Sequence, residues 1–117
     1  MQSPMKLTDP SLEAALTKTP FGKDLKCNTL VFKCPVCGDH THLIPFLFGI
    51  YRDGKFSNGM HRWGHTDGTT LKDITLSPSY EGQTSRLVEG RPMMCKLHVY
   101  VSEGELVILD DSGLIEP

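Results

Sequence analysis

Apolar and polar residues alternate most strictly near the C-terminal end, in "CKLHVYVSEGELVILDD" (Cys95 to Asp111). Two alternating runs flank Ser102-Glu103-Gly104, which predicts two strands joined by a short hairpin turn. "NTLVFKC" and "HTHLIPFLFGIY" are rich in β-branched and aromatic residues and predict two more strands. "RDGKF" places an Asp-Gly turn signal between two apolar runs, consistent with another hairpin. "KDITLSPSY" alternates and is expected to stop at Pro78, because proline donates no ladder hydrogen bond. The stretch Glu81 to Pro92, "EGQTSRLVEGRP", is polar and glycine-bearing and reads as a loop.

The N-terminal pattern differs. In "TDPSLEAALTKTP" Leu12, Ala15 and Leu16 recur at helical spacing. Asp9 can accept free amide hydrogens at a helix start, and Pro10 suits the first helical position. Thr19 before Pro20 ends the element, since a residue preceding proline is pushed out of helical geometry. The expected fold is a small, mainly β, zinc-ribbon-like antiparallel domain. Residues 1–24 form an N-terminal helical appendage with one short helix, and residues 25–117 form the β domain.

Composition narrows the function classes. The chain has 117 residues, which fits one domain, with 11 glycines and 8 prolines suited to many turns. Its formal charge is -2 and no long basic run occurs, so the electrostatic footprint of a general nucleic-acid binder is missing. No apolar run approaches the length needed to span a bilayer, and "MQSPMKLTDPS" has no signal-peptide core. The expected location is a cytoplasm, where thiols stay reduced. Closely spaced cysteines there lean toward metal binding or catalysis.

Cys34 and Cys37 form Cys-x-x-Cys followed by Gly38, and Cys95 and His98 form Cys-x-x-His. Each pair has the spacing of a zinc knuckle, in which a tight turn converges two side chains on one ion. Tetrahedral Zn2+ takes four sulfur or nitrogen ligands, so two such pairs complete a closed, structural shell. Gly38 would supply a left-handed residue to the first turn. A redox Cys-x-x-Cys usually opens a helix, and no helical pattern follows Cys37. Positions three apart on a strand face opposite sides, so Cys95 and His98 converge only if the chain bends at Lys96-Leu97. His40, three residues after Cys37, is the alternative ligand if His98 is not one. Otherwise His40 and His42 read as a solvent-facing turn. Cys27 reads as a small buried apolar residue.

A second cluster, "MHRWGHTDG", alternates His61, Trp63 and His65 on one face of an extended segment. Such a face can bind a partner or stack on a ligand. A second metal there would need Asp67 or Asp73 as a further ligand. In "TLSPSY", Ser77 and Ser79 read as residues bonding nearby backbone at a strand end, and neither a Gly-x-Ser-x-Gly elbow nor a phosphate loop is present.

Taken in order, "CPVCG", Trp63, "TLSPSY" and "CKLHVYVSEGELV" resemble a family of small bacterial and phage proteins. It is the domain-of-unknown-function family six-five-two-seven, whose members are sometimes misnamed ammonia monooxygenase. The resemblance runs roughly from Lys33 to Leu109. It implies zinc held by Cys34, Cys37, Cys95 and His98, and for bacterial members a setting beside ubiquitin-like conjugation genes. "HRWGH" and "EGQTSRLVEG" look longer than the family pattern.

These observations favour a non-catalytic domain with structural zinc that acts by binding a protein. The partner would be a host factor, met in the host cytoplasm if the chain is phage-encoded, or a ubiquitin-like pathway component. The expected partner surface is His61, Trp63 and His65, with Arg86 and Arg91 nearby. One alternative is a zinc-dependent hydrolase acting on a ubiquitin-like conjugate or a nucleotide. A second is a nucleic-acid-binding zinc ribbon.

Overall fold

The computed structural model describes residues 4–21, 25–47, 54–55 and 61–116, with side chains outside 19–27, 47, 54–55, 61–67 and 78. The architecture is mainly β. The strands are β1 (Met5–Lys6), β2 (Ala15–Phe21), β3 (Leu25–Lys33), β4 (Thr41–Leu47), β5 (Gly54–Lys55) and β6 (His61–Asp67). They continue with β7 (Thr75–Val88), β8 (Arg91–Ser102), β9 (Glu105–Ile108) and β10 (Gly113–Ile115). The hydrogen-bonded order is β1-β9-β8-β7-β6-β4-β3-β2, with β10 on β8 and β5 on β6. Pairing is antiparallel except between β4 and β6, which run parallel.

The N-terminal helix is replaced by a single 3-10 turn, Pro10–Leu12. Its start follows the expected chemistry, since Asp9 accepts from the Ser11 amide at 2.9 Å and Pro10 opens the turn. Glu13 then enters the left-handed region at φ 46 and the chain reverses. Ala15–Phe21 pairs with Leu25–Val31 residue for residue. A short isolated helix is marginal in water, whereas this segment gains a full ladder on the edge of β3. Among the described residues 4–21 the expected helix is absent: β1 and β2 join the sheet, and Leu7 and Leu12 lie in the core.

The expected loop Glu81 to Pro92 is instead a hairpin. β7 and β8 stay paired through Val88↔Arg91, leaving only Glu89-Gly90 as the connection. Both residues have positive φ, 51 and 78, which is the demand of the two-residue turn matching the right-handed strand twist. Glu103-Gly104, at 48 and 77, makes the same turn between β8 and β9, as the alternation there predicted. β7 also does not stop at Pro78. Leu76 pairs with Val101 and Tyr80 with Val99, so residues 77–79 bulge opposite Tyr100 and the proline is accommodated without a ladder donor. Of the "RDGKF" signal, Gly54 and Lys55 form β5 against Arg62 and His61, and residues 51–53 lie outside the described residues.

Period-two burial fixes the core. On β8, Cys95, Leu97, Val99 and Val101 are buried, while Lys96, His98 and Tyr100 alternate outward. These meet Leu30, Phe32, Ile44 and Phe46 from β3 and β4. Since β7, β6 and β4 lie between β8 and β3 in the sheet, contact between the two ends requires the sheet to curl over its own apolar face.

Candidate metal centre

Three of the four candidate ligands come from the loop between β3 and β4. β3 ends at Lys33, paired with Thr41 at the start of β4. Cys34 N then donates to His40 O at 2.8 Å, and Gly38 N donates to Cys34 O at 2.9 Å. These two bonds wind residues 34–40 into a tight loop that turns Cys34, Cys37 and His40 inward. Gly38 takes φ 70, the left-handed conformation expected after the second cysteine. The fourth residue, Cys95, arrives from the core face of β8 and is fully buried.

The ligand atoms of Cys34, Cys37, His40 and Cys95 all lie within 4.8 Å of one another. Cys34 Sγ and Cys95 Sγ are 3.6 Å apart, and His40 Nδ1 is 3.0 Å from Cys37 Sγ. Two sulfurs bound at about 2.3 Å on a tetrahedral ion stand roughly 3.8 Å apart, so the spacing fits one shared ion. The three thiols are free. Burial, followed by the neighbouring Cys37 and Cys34, pushes the Cys95 thiol up to about 12. The Cys95 thiol therefore resists ionisation unless a cation shares the space. His40 Nε2 is buried with no hydrogen-bond partner among the described residues, which also leaves room for a ligand role.

His98 is not brought to this group, which corrects the expected ligand set. The bend at Lys96-Leu97 does not occur: β8 pairs continuously with β7 from Cys95↔Thr84 to His98↔Glu81. Three residues of unbroken strand carry His98 to the opposite face from Cys95. Its Nδ1 lies 3.1 and 3.0 Å from the two carboxylate oxygens of Asp111, and its Nε2 lies 3.0 Å from Ser79 Oγ. His40 holds the fourth place instead. The signal for it was the repeated step of three from Cys34 to Cys37 to His40.

His42 is likewise no solvent-facing residue. It is 3% exposed, stacks on Phe32 with ring centroids 5.4 Å apart, and meets His40 edge-on at 4.6 Å. Its Nδ1 pairs with Tyr80 Oη at 2.9 Å. Burial, then the adjacent His40, pushes its pKa down to about 4, so the ring is neutral at pH 7. The approach is possible because residue 82 is glycine: a Cβ there would stand 2.7 Å from Tyr80 Oη and 2.9 Å from His42 Nδ1.

The other singled-out residues scatter. His61, Trp63 and His65 lie on β6, with Trp63 opposite Phe46 and His65 opposite Leu76, and their side chains lie outside the described residues. The same holds for the side chains of Asp67 and Cys27. Asp73 is engaged in a turn, where its Oδ1 accepts from the Thr69 and Thr70 amides at 3.1 and 2.9 Å. Arg86 pairs with Asp39 in the cysteine loop, and Arg91 pairs with Glu116. Ser79 faces His98 from the β7 bulge, a contact that its place in "TLSPSY" did not announce.

Fold and cluster together define a mainly β domain with three cysteines and one histidine placed to hold a metal ion. The chain matches no family model, no curated protein and no solved structure in comparison. Among the described residues, no helix is long and apolar enough to cross a membrane.

Proposed function

We propose that this chain is a small β domain stabilised by a structural zinc ion and that it acts by binding a protein partner. The observation that carries the zinc reading is the convergence of Cys34, Cys37, His40 and Cys95 within 4.8 Å. Soft thiolates with an imidazole are a donor set suited to zinc. Four protein donors fill a tetrahedral shell and leave no position for a reacting water, which favours an architectural role over a zinc-dependent hydrolase. When bound, the ion supplies a cross-link between the β3–β4 loop and β8, two regions the sheet order holds apart.

The partner reading follows from the family resemblance and from the β6 segment His61, Trp63 and His65. It names a host factor or a ubiquitin-like pathway component as the partner, met in the cytoplasm. Arg91 is exposed at the β7–β8 turn, at the far end of β7 from the residues that pair with β6, and Arg86 is tied to Asp39. Metal analysis of the purified chain tests the first half: one zinc per chain is expected, and metal-free protein with an unchanged melting curve would sink it. Capture from a bacterial lysate with wild type and Trp63→Ala tests the second. A specific protein retained by wild type and lost by the variant is expected; equal retention by both removes β6 as the surface.

A further inference from the structure

We propose that Ser79, His98 and Asp111 form a nucleophilic triad that hydrolyses an ester or amide of a carboxylic acid, on the face of β8 opposite the metal cluster. Asp111 presents both carboxylate oxygens to His98 Nδ1, at 3.1 and 3.0 Å. A carboxylate only accepts, so Nδ1 carries the ring hydrogen. With the ring protonated at Nδ1 alone, Nε2 is an acceptor, and Ser79 Oγ, 3.0 Å from it, is the donor. That is the order nucleophile, base, orienting carboxylate, with each link at hydrogen-bond length.

Two features of the fold hold the three residues in place independently. The loop after β9 is clamped to the backbone of His98: Ser112 Oγ accepts from His98 N at 2.8 Å and donates to His98 O at 3.0 Å. Leu109 N also donates to His98 O, at 2.9 Å. Asp111 lies within this clamp, and Lys96 Nζ, 3.2 Å from Asp111 Oδ2, favours its ionised form. On the other side, Ser79 sits on the bulge that residues 77–79 make around Pro78. Bulges re-aim side chains, and this one directs a serine at His98 from the neighbouring strand. Ser79 and His98 are half-buried, so the pair is sheltered yet reachable.

In the reaction, Ser79 Oγ forms a bond to the acyl carbon and its proton passes to His98 Nε2. The scissile C–O or C–N bond breaks, and the leaving group takes that proton. Water then attacks the acyl-serine, gives its proton to His98 Nε2, and Ser79 regains it as the acid departs. Water is the only co-reactant. The step uses no metal, so Ser79 reactivity and zinc content are separate measurements, and failure of one reading leaves the other standing.

The test treats the metal-loaded full chain with a fluorophosphonate probe and locates the adduct by mass spectrometry, alongside hydrolysis of p-nitrophenyl acetate. The expected adduct is on Ser79, and Ser79→Ala abolishes both signals. Asp111→Asn, which favours the wrong tautomer of the imidazole, is expected to slow acylation by roughly 10^4-fold. Zinc content and melting curves matching wild type show that each variant is folded. The proposal is overturned if folded wild-type chain leaves Ser79 unmodified, or if folded Ser79→Ala turns over the ester as fast as wild type.

Discussion

Cys34 and Cys95 hold their sulfur atoms 3.6 Å apart although 61 positions separate them in the chain. One closes β3 and the other lies within β8, and neither strand pairs with the other. Their meeting is produced by curling of the sheet over its apolar face. It places the metal-binding group at the junction of two regions that backbone hydrogen bonds do not join directly.

The choice between the two histidines is directly testable. His40→Ala removes a donor from the cluster and should weaken zinc binding by more than about a hundredfold, since even residues that only orient ligands cost up to that. His98→Ala should leave zinc affinity unchanged. Competition with a chromogenic chelator measures both, and a reversed order would return the ligand role to His98.

Cys95→Ala should lose the metal and about 3 kcal/mol or more of stability, as removal of a structural metal does. In a chain of this size that lowers Tm by roughly 10 °C or more. Chelator should lower the Tm of wild type toward that of the variant and leave the variant unmoved. A chelator effect of equal size on both would refute the assignment.

The Glu89-Gly90 turn predicts opposite effects at adjacent positions. Gly90 has φ 78 with nothing within 4 Å of a built Cβ, so Gly90→Ala meets only backbone strain, about 1–2 kcal/mol. Glu89, at φ 51, already bears that strain, and Glu89→Asn should raise stability by a few tenths to about 1 kcal/mol. Thermal melts with unchanged zinc content check both signs.

Asp111 yields a pH prediction. The hydrogen bond from His98, then that from Lys96, holds its carboxyl below the usual 3.8. A depressed acid contributes stability above its unfolded pKa, and that contribution is lost as pH falls through the folded value. The Asp111 link to His98 should therefore persist as pH falls past 3.8, the ordinary value, and fail only at the lower folded one. His98→Ala should raise the Asp111 pKa, which side-chain carboxyl NMR can follow. An unmoved titration would show that the contact is not made in solution.

Much of this protein is legible from local pattern. Alternation alone assigns Cys95, Leu97, Val99 and Val101 to one face, because the pleat of a strand has period two. The same rule already warned that Cys95 and His98 would diverge on an unbent strand. The Cys34-to-Cys37 step and the left-handed Gly38 are local features of a tight loop. The structure departs from local pattern at the N-terminus and at Glu81 to Pro92 for another reason. Helical spacing of Leu12, Ala15 and Leu16 gave way to the ladder offered by β3, and a polar stretch became strand because β8 lay opposite it.

What sequence by itself determined, then, is the repeating side of the architecture: which residues face the core, where the Glu103-Gly104 turn falls, and that cysteines stand ready for a metal. Tertiary structure alone decided which histidine joins them and what the other one touches. β8 is held straight by β7 on one side and by β9 and β10 on the other, so His98 is carried away from Cys95 toward Ser79 and Asp111. The tight loop between β3 and β4, which no ladder holds extended, is what delivers His40.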